Sequence, residues 1–443
     1  MTRIRVDRQD VVDRVYLQLT GDDEGRVCRD IPEAACNAQP ENFLKHVMAL
    51  LASKAGDGLV DPKLVLPWLL GALGAPAFFT GLLVPIREAG ALLPQLVTAG
   101  SIRALPLRKY AWAIGSLVQG LAVIGMGIAA FSLQGEALGW TIVSLLVVMS
   151  LARSVCSVAY KDVLGKTVSK STRGTATGTA STGAALVVFA FGALLALGWL
   201  PLEVEVIAFV LLVAGSCWLF AAAVFVGLDE VPGATEGGGN ALSVVLEEIA
   251  LLRTDGQLVR FIAVRGLLTS TALAPPFLLA LGGRSAGAEL GGLGLFVLAS
   301  SAASVLSTYA WGRLSDVSSR RVLLYSGLVA SLPLGAAGLL GLVDSGLLSL
   351  PAVLPGLLLV LMIAYQGVRL GRSTHVVDMA DETRRAAYTA LSNTVVGVLL
   401  LGASIFGALA SAAGEAVVLL TFAVMAVLGA LVAFGLDEVQ EDA

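Results

Sequence analysis

Apolar residues occur along the chain in long runs that are separated by short charged segments. A helix needs about 20 mostly apolar residues to cross the hydrocarbon core of a bilayer. Hydropathy places twelve such runs, and the sequence therefore predicts twelve membrane-spanning helices. The predicted spans cover residues 44–69, 75–98, 110–132, 140–162, 177–200, 205–228, 260–282, 288–311, 322–343, 351–373, 388–411 and 415–436.

The composition excludes a water-soluble protein. Of the 443 residues, 56% are hydrophobic and only 14% are charged, and the mean hydropathy is +0.84. Soluble domains carry about 25% charged residues, and a soluble core of this length cannot bury so much apolar side chain. The 50 glycines favour helices that pack closely in lipid. The net charge of −4 gives no reason to expect a nucleic-acid partner.

Lysine and arginine are concentrated in one of the two sets of loops, and this asymmetry predicts the orientation of the chain. Basic residues collect in every second loop, while the loops between them hold only Arg284. With an even number of spans, both termini lie in the cytoplasm, and we expect a multi-pass protein of the inner (plasma) membrane. The basic set comprises Arg103, Arg108, Lys109, Lys166, Lys170, Arg173, Arg253, Arg260, Arg313, Arg320, Arg321, Arg384 and Arg385.

A long loop near the middle divides the chain into two halves of similar length. This linker contains a glycine stretch before Asn240 and then LSVVLEEIALL, whose helical spacing predicts an amphipathic helix at the cytoplasmic surface. The sequence leaves open whether the polar N-terminal extension docks on the helices or stays disordered. The predicted organisation is a cytoplasmic extension (1–42), a six-helix bundle (43–228), the linker (229–259), a second six-helix bundle (260–436) and an acidic tail (437–443).

A glycine followed by a basic pair recurs at the same point of each half. Residues 312–321, after the eighth span, resemble the loop signature of the major facilitator superfamily (MFS), which has a glycine, an acid and paired basic residues. The counterpart after the second span, residues 99–109, departs from this signature because Ala104 stands where the acid is expected. The residues that carry the resemblance are Gly312, Asp316, Arg320 and Arg321.

The resemblance implies an all-α MFS fold of two six-helix bundles and secondary active transport of a small solute. In such a transporter the halves rock against each other and expose a central site to each side in turn. Residues 312–321 would then form a gating loop, in which the acid holds a neighbouring helix end or arginine and releases it as the halves move. The alternative is a tight turn with basic anchors and no role in gating.

Ionisable side chains at bilayer depth are costly, so each is a functional hypothesis. They fall in predicted spans one, two, four, seven (Arg265) and ten, and the resemblance implies that helices one, four, seven and ten line the central cavity. We therefore predict a midplane site for substrate and protons that is built from these five helices. Its residues are Asp57, Asp61, Arg87, Glu88, Arg153 and Arg369.

The balance of these charges suggests the chemistry of the site. With Lys54 and Lys63 included, the deep cations outnumber the acids, which favours an anionic or zwitterionic substrate. Buried acids can take up protons, which predicts proton coupling through Asp57, Asp61 or Glu88. The alternative is that the charges pair as structural salt bridges, namely Lys54 with Asp57 and Arg87 with an acid of the first helix.

Prolines lie in three of the same spans. Each proline removes a backbone hydrogen bond and predicts a kink or a break. Broken helices beside charged residues are common where transporters bind their substrates. The prolines are Pro62 and Pro67 in span one, Pro85 and Pro94 in span two, and Pro275 and Pro276 in span seven.

The sequence lacks signatures of an enzyme, a metal site or a cofactor. No GxxxxGK[ST] phosphate-binding motif is present, and His46 and His375 fit no usual metal spacing with the cysteines. We expect no enzyme activity, no metal and no cofactor. The four cysteines, including Cys28 and Cys36 of the polar extension, are interpreted as unpaired thiols.

Two other functions remain open. One is a non-transporting protein of the same fold that serves as an assembly factor or sensor for a partner membrane protein, which the degenerate first loop favours. The other is a lipid translocator, which a groove open laterally between the halves would favour. Buried charges argue against a scaffold, because a scaffold gains nothing from their cost. We expect a monomer in the bilayer, with a small solute and protons as its partners.

Overall fold

The apolar runs form helices, and every regular element among the described residues is helical. The structure is a computed structural model that describes residues 8–20, 36–233, 249–285, 292–380 and 385–440. The predicted all-α fold class is confirmed for this part of the chain. The helices are α1 (Arg8–Thr20), α2 (Gln39–Val60), α3 (Val65–Ala72), α4 (Ala77–Leu92), α5 (Gln95–Arg103), α6 (Lys109–Ser132), α7 (Gly135–Thr167), α8 (Lys170–Ala196), α9 (Val204–Val226), α10 (Leu251–Thr254), α11 (Gly256–Leu267), α12 (Ser270–Leu273), α13 (Pro275–Ser285), α14 (Leu293–Val317), α15 (Ser319–Leu342), α16 (Val353–Asp378), α17 (Arg385–Gly402), α18 (Ile405–Ala413) and α19 (Glu415–Phe434).

Most of these helices are membrane spans. Within the described residues, nine helical segments are long and apolar enough to cross a bilayer, and α14, which bends by 43° between Ser307 and Tyr309, makes a tenth. The chain is therefore a multi-pass membrane protein. The first two predicted spans fall on the pairs α2–α3 and α4–α5, which are interrupted and carry interior charges. The count of twelve spans and the cytoplasmic termini thus stay predictions.

Proline marks the breaks in three predicted spans. Helix α2 ends shortly before Pro62, α5 begins directly after Pro94, and α13 begins at Pro275. A proline cannot donate the backbone hydrogen bond that would continue the preceding helix. Two other prolines lie inside short or intact helices, Pro67 in α3 and Pro85 in α4.

Glycines allow the closest helix crossings. Helices α6 and α9 cross where a Cβ on Gly120 would lie 2.7 Å from the carbonyl oxygen of Gly215. Helices α15 and α19 cross in the same way at Gly327, whose Cβ would lie 2.9 Å from the carbonyl oxygen of Ala426. Helices in lipid associate through such close backbone packing, because no hydrophobic force drives them together. These crossings account for part of the high glycine content.

The helices before residue 229 (the first half) and those after residue 248 (the second half) touch backbone to backbone at the end of the molecule away from the termini. Helix α4 crosses α18 where a Cβ on Gly81 would lie 2.3 Å from the Cα of Gly407. Helix α8 crosses α14 where a Cβ on Gly294 would lie 2.5 Å from the backbone nitrogen of Ala196. Helices α4 and α14 begin at this end, and α8 and α18 finish there.

Part of the N-terminal extension docks on the spans. Helix α1 packs against α2 and α8. Tyr16 is only 2% exposed, its hydroxyl accepts a hydrogen bond from Gln39 Nε2 at 2.7 Å, and its ring meets that of Phe43 edge-on at 5.2 Å. Of the two alternatives for the N-terminal extension, docking on the helices is therefore the correct one for residues 8–20. Helix α2 begins at Gln39, inside the predicted extension.

One cysteine prediction is wrong. Cys36 is disulfide-bonded, whereas Cys156 and Cys217 are free thiols as predicted. Pairing depends on the distance between two thiols in the fold, which the spacing along the chain does not report. Several predicted features lie outside the described residues, namely Cys28, Asn240, Arg384, residues 441–443 and most of the linker's amphipathic helix.

Candidate functional site

Charged side chains from several helices line one cavity of about 580 Å³. This volume is within the range of about 300–1,000 Å³ that is typical of small-molecule sites. All six residues of the predicted substrate and proton site line it, namely Asp57, Asp61, Arg87, Glu88, Arg153 and Arg369. The other polar lining residues are Lys54, Lys63, Ser181, Ser300, Ser301, Ser304, Tyr365, Gln366 and Arg372.

The set of helices around the cavity differs from the predicted set. Helices α2, α4, α7 and α16 contribute, in agreement with predicted spans one, two, four and ten. The predicted contribution of the seventh span is wrong for the described residues, because Arg265 is 7% exposed and donates hydrogen bonds to Ser392 Oγ at 2.6 Å and Asn393 Oδ1 at 2.9 Å. Serines of α8 and α14 line the cavity instead.

Asp57 is the centre of an ion-pair network on the cavity wall. Its Oδ1 atom accepts a hydrogen bond from Arg87 Nη2 at 2.6 Å, and its Oδ2 atom accepts one from Arg153 Nη1. One carboxylate of α2 thus holds two guanidinium groups, from α4 and α7. Lys54 donates to Ser181 Oγ at 2.8 Å rather than to Asp57. Of the two pairs expected under the structural alternative, Lys54 with Asp57 is therefore wrong, whereas Arg87 does pair with an acid of the first helix, Asp57.

The other two acids have different surroundings. Asp61 lies at the break between α2 and α3, where its Oδ1 atom accepts the backbone N–H of Lys63 at 2.8 Å. This contact satisfies a donor that the broken helix leaves unpaired. Glu88 forms no hydrogen bond within the described residues. Four cations attract it electrostatically, namely Lys63, Arg87, Arg153 and Arg372.

Tyr365 lies between two cations on the opposite wall. Lys63 Nζ stands 3.7 Å from the centroid of the Tyr365 ring, and Arg369 Cζ stands 5.9 Å from it. A cation over an aromatic face is attracted by the ring quadrupole. The Lys63 contact therefore joins the break in the first half of the chain to α16 in the second half.

The cavity carries an excess of positive charge. Six cationic side chains line it, against three carboxylates. Asp57 neutralises part of the charge of Arg87 and Arg153. Arg369 and Lys54 lie close enough to repel each other, and among the described residues neither forms a salt bridge. A solute that brings negative charge would relieve this repulsion.

A second cavity of about 250 Å³ lies beside the first and shares Lys54, Asp57 and Arg153 with it. Its walls come from the first half of the chain alone. Residues with hydroxyl groups, including Ser53 and Ser157, contribute to its lining. The remaining lining residues are Leu50, Trp112, Gln119, Cys156, Tyr160, Thr177 and Trp218.

The predicted gating loop is mostly helical. Gly312 and Asp316 lie in α14, Arg320 and Arg321 lie in α15, and only Ser318 separates these helices. The Ser318 hydroxyl accepts the backbone N–H of Arg321 at 3.0 Å. This N-cap lets α15 begin directly after α14 ends, because it satisfies one of the unpaired donors of the new helix.

Arg320 anchors this junction to the chain's C-terminal segment. Its Nε atom lies 3.6 Å from Glu438 Oε2, and its Nη1 atom donates to the Leu436 carbonyl oxygen at 3.1 Å. Asp316 is exposed, and a Cβ on Gly312 would meet open space. Among the described residues, the acid that holds the junction is thus Glu438. The predicted acid was Asp316.

In the first half, Glu230 holds the start of α6. Its carboxylate accepts the backbone N–H of Arg108 at 3.1 Å and that of Lys109 at 2.8 Å, and it pairs with Lys166 Nζ at 2.9 Å. Arg108 Nη1 also lies 3.1 Å from Asp162 Oδ2. These two acids supply the negative charge that the first loop lacks at position 104.

Glu438 repeats this role at the start of α15, where its carboxylate accepts the Ser318 hydroxyl at 2.6 Å. Neither acid was among the predicted residues, although the sequence carries a signal for both. The pentapeptide Gly-Leu-Asp-Glu-Val occurs at residues 227–231 and again at residues 435–439. Each copy follows a helix that ends its half and places its glutamate at the start of another helix.

Neither histidine takes part in the cavity. His46 Nε2 lies 2.8 Å from Thr167 Oγ1, and His375 Nδ1 lies 2.9 Å from Ser319 Oγ. Both rings are buried, and each has one nitrogen beside a hydroxyl group, whereas His46 Nδ1 has no hydrogen-bond partner among the described residues. Within the described ranges, no group of three or more His, Cys, Asp or Glu side chains could hold a metal ion.

Comparison with known proteins gives the fold. No protein-family model matches the sequence, and no curated protein matches it. Among solved structures, the nucleoside transporter NupG, an MFS protein, matches with a TM-score of 0.65 and 12% identity, over 89% of this chain and 98% of that one.

Two structures of a POT family transporter are also similar. The complex with a thioalcohol-conjugated peptide has a TM-score of 0.70 and 10% identity, over 92% of this chain and 98% of that one. The complex with 5-aminolevulinic acid has a TM-score of 0.70 and 11% identity, with the same coverage. At these identities the likeness establishes the fold. The chain therefore has the fold of these solved structures, which is the fold that the resemblance of residues 312–321 implied.

Proposed function

We propose that the protein is a secondary active transporter that moves a small anionic or zwitterionic solute across a prokaryotic inner membrane by alternating access. In this proposal the chain has twelve spans, both termini are cytoplasmic, and the protein works as a monomer. Residues 43–228 and 260–436 form two six-helix bundles that rock about the cavity. The observation that supports this function best is the single cavity in which six separately predicted charged residues meet.

Stability alone is a poor explanation for the network. Removing two charges from water costs several kcal/mol per ion, and an apolar replacement of a buried ion pair is often neutral or stabilising. A purely structural network should also leave few of its charges unpaired. Three of the cations that line the cavity, Arg369, Arg372 and Lys63, nevertheless form no salt bridge within the described part of the chain. Charges that are kept unpaired beside a solute-sized cavity fit ligand binding better.

Asp57 is the residue through which we propose that protons are coupled to transport, with Glu88 and Asp61 as further candidates. Its carboxylate holds Arg87 and Arg153 while it is ionised. Protonation of Asp57 would weaken both pairs and free the two guanidinium groups for an anionic solute. Proton binding and solute binding would therefore be linked, because both change the partners of the same arginines.

The backbone contacts at Gly81–Gly407 and Gly294–Ala196 supply the other element of alternating access. They close the two halves at the end away from the termini. Opening this end requires these contacts to part while the opposite end closes. Arg320 and Glu438 lie at the terminal end, where their contact would hold α14, α15 and the C-terminal segment together during the movement.

Transport by proteoliposomes tests the proposal. Solutes from an anionic and zwitterionic panel are added under an imposed pH gradient, and an internal pH dye reports proton entry. We expect at least one solute to drive proton entry with the wild type and not with Asp57→Ala or Arg153→Ala. Lys161→Ala is the matched control, because this exposed cation lies outside both cavities.

The proposed site is wrong if the Asp57→Ala and Arg153→Ala proteins both transport as the wild type does. Movement of labelled phospholipid between leaflets, without any solute response, would favour the lipid translocator. Absence of both activities, together with co-purification of a partner membrane protein, would favour the assembly factor.

A further inference from the structure

We propose that the second-half wall of the cavity is a subsite for a dianionic oxyanion group, such as a phosphate monoester or a dicarboxylate. The subsite is formed by Arg369 and Arg372 of α16, with the hydroxyl groups of Tyr365 and Ser300. This inference rests on the proposed transport function and specifies its substrate class. It excludes a simple zwitterion as the preferred solute.

The two walls of the cavity differ in their charge. All three carboxylates, Asp57, Asp61 and Glu88, belong to the first half of the chain. The described lining residues of the second half include no acid: they are Ser300, Ser301, Ser304, Met362, Tyr365, Gln366, Arg369 and Arg372. An ammonium group would therefore find a partner only on the first-half wall, whereas an oxyanion is suited to the second-half wall.

The two arginines are placed to act together. Arg369 and Arg372 are three residues apart in α16, which places them on the same face of the helix. Neither forms a salt bridge within the described residues, so their guanidinium N–H groups are available. Arg369 is steadied by the Tyr365 ring at 5.9 Å. Guanidinium groups bind carboxylate and phosphate oxygens through paired hydrogen bonds, which makes two of them a fitting site for a dianion.

Neutral donors beside the arginines can complete the coordination of the oxyanion. The Tyr365 and Ser300 hydroxyls form no hydrogen bond within the described residues, and both residues line the cavity. The side-chain amide of Gln366 is already engaged, because its Nε2 atom donates to Ser304 Oγ at 2.6 Å. The second-half wall thus offers two cationic and two neutral donor groups to a solute in the cavity.

The charge of the whole cavity favours a dianion over a monoanion. Its lining has three more cations than carboxylates. Asp57 is already shared by Arg87 and Arg153, and Glu88 attracts Arg372 without forming a salt bridge. A monoanion would leave two of the three excess positive charges unbalanced, whereas a dianion would leave one.

Thermal stability of the purified protein tests the charge preference. The four probes are succinate and glycerol 3-phosphate as dianions, lactate as a monoanion and glycine as a zwitterion, at pH 8 and matched ionic strength. We expect a dianion at about 100 times its Kd to raise the melting temperature of the wild type by about 2 °C or more. Lactate and glycine should give clearly smaller shifts. The dianion that gives the larger shift in melting temperature shows whether the subsite prefers a phosphate or a dicarboxylate group.

Variants locate the binding. Arg369→Gln and Arg372→Gln should each weaken the apparent affinity for the dianion about 10- to 100-fold, the effect of losing one charged hydrogen-bonding group. Arg369→Lys keeps the positive charge and therefore controls for an effect on folding. It should lose part of the affinity for the dianion, because an ammonium group cannot form the paired hydrogen bonds of a guanidinium group. Lys161→Gln, outside both cavities, should bind as the wild type does.

Three results would overturn the inference. The first is a glycine or lactate shift as large as the dianion shift. The second is a dianion shift that is unchanged in the Arg369→Gln/Arg372→Gln double variant. The third is the absence of any dianion shift. In each case the proteoliposome experiment decides separately whether the protein transports a solute, so the proposed function can stand while this inference fails.

Discussion

Gly81 of α4 and Gly407 of α18 cross backbone to backbone, and a Cβ on Gly81 would lie only 2.3 Å from the Cα of Gly407. No side chain can be accommodated there unless the two helices move apart. The contact joins the first half of the chain to the second half at the end away from the termini. It is therefore the place where a small change in the sequence should shift the balance between open and closed states.

A Gly81→Leu substitution should hold this end open. Overpacking costs about 1–3 kcal/mol, which corresponds to a population shift of roughly 5- to 150-fold. We expect backbone amides in residues 78–84 and 405–412 to exchange with deuterium at least about tenfold faster than in the wild type. Gly356→Leu is the control, because a Cβ on Gly356 of α16 would meet open space. Unchanged exchange at both segments would contradict the assignment of this contact as a closure.

Asp57 and Arg153 should show strong coupling in a double-mutant cycle. Asp57→Asn leaves two guanidinium groups without their shared carboxylate, so we expect it to lower the free energy of unfolding by about 3 kcal/mol. Arg153→Ala should cost less, because Asp57 keeps Arg87 as a partner at 2.6 Å. The double variant should be less destabilised than the sum of the two by at least about 0.5 kcal/mol. Additive effects would show that the two residues do not interact.

Glu230 should contribute more to stability than Glu438. The side chain of Glu230 is fully buried and accepts two backbone N–H groups at the start of α6. Glu438 is 9% exposed, and its pair with Arg320 is longer, at 3.6 Å. We expect Glu230→Gln to lower the free energy of unfolding by about 2–3 kcal/mol, the value of a buried charged hydrogen-bonding group.

Thermal melting of the two variants in the same detergent measures this difference. Glu438→Gln is the matched control, since it makes the same chemical change at the second copy of the Gly-Leu-Asp-Glu-Val segment. A larger effect for Glu438→Gln than for Glu230→Gln would contradict the burial argument.

Much of the fold was predictable, because the hydropathy of a span is a local property. The charged cavity residues were also predictable, since an ion at bilayer depth stands out in any apolar run. Serines of α8 and α14 and the ring of Tyr365 were not, because neutral side chains carry no comparable signal. The predicted contribution of the seventh span failed for a related reason: a charge in a span, here Arg265, does not reveal whether it faces a cavity or, as here, the hydroxyl of Ser392.

The gating segment and the disulfide show a second limit of the sequence. Residues 312–321 suggest a loop, yet the N-cap at Ser318 allows two helices to meet with one residue between them. The partner of Arg320 is Glu438, far away in the chain, and the pairing of Cys36 likewise depends on the folded structure. Contacts between distant residues follow from the packing of whole helices.

The docked N-terminal helix yields a further prediction. Tyr16→Phe removes the acceptor of the 2.7 Å hydrogen bond from Gln39, which should cost about 1 kcal/mol, although Gln39 Nε2 also donates to Ser169 Oγ at 3.1 Å. Tyr16→Ala also removes the buried ring and should undock α1. Deuterium exchange in residues 8–20 should then rise strongly in Tyr16→Ala and only slightly in Tyr16→Phe. Equal exchange in the wild type and Tyr16→Ala would contradict the docking.

The accessibility of a thiol placed in the cavity measures directly whether the cavity opens to each side of the membrane in turn. Ala91 lines the cavity on α4, and Ala91→Cys can be labelled in a background in which serine replaces all four native cysteines. A membrane-impermeant maleimide is applied separately to each side of oriented vesicles. We expect labelling from both sides, and labelling biased to the side away from the termini once Gly81→Leu is added. Labelling from one side only, with no change in the Gly81→Leu protein, would contradict alternating access.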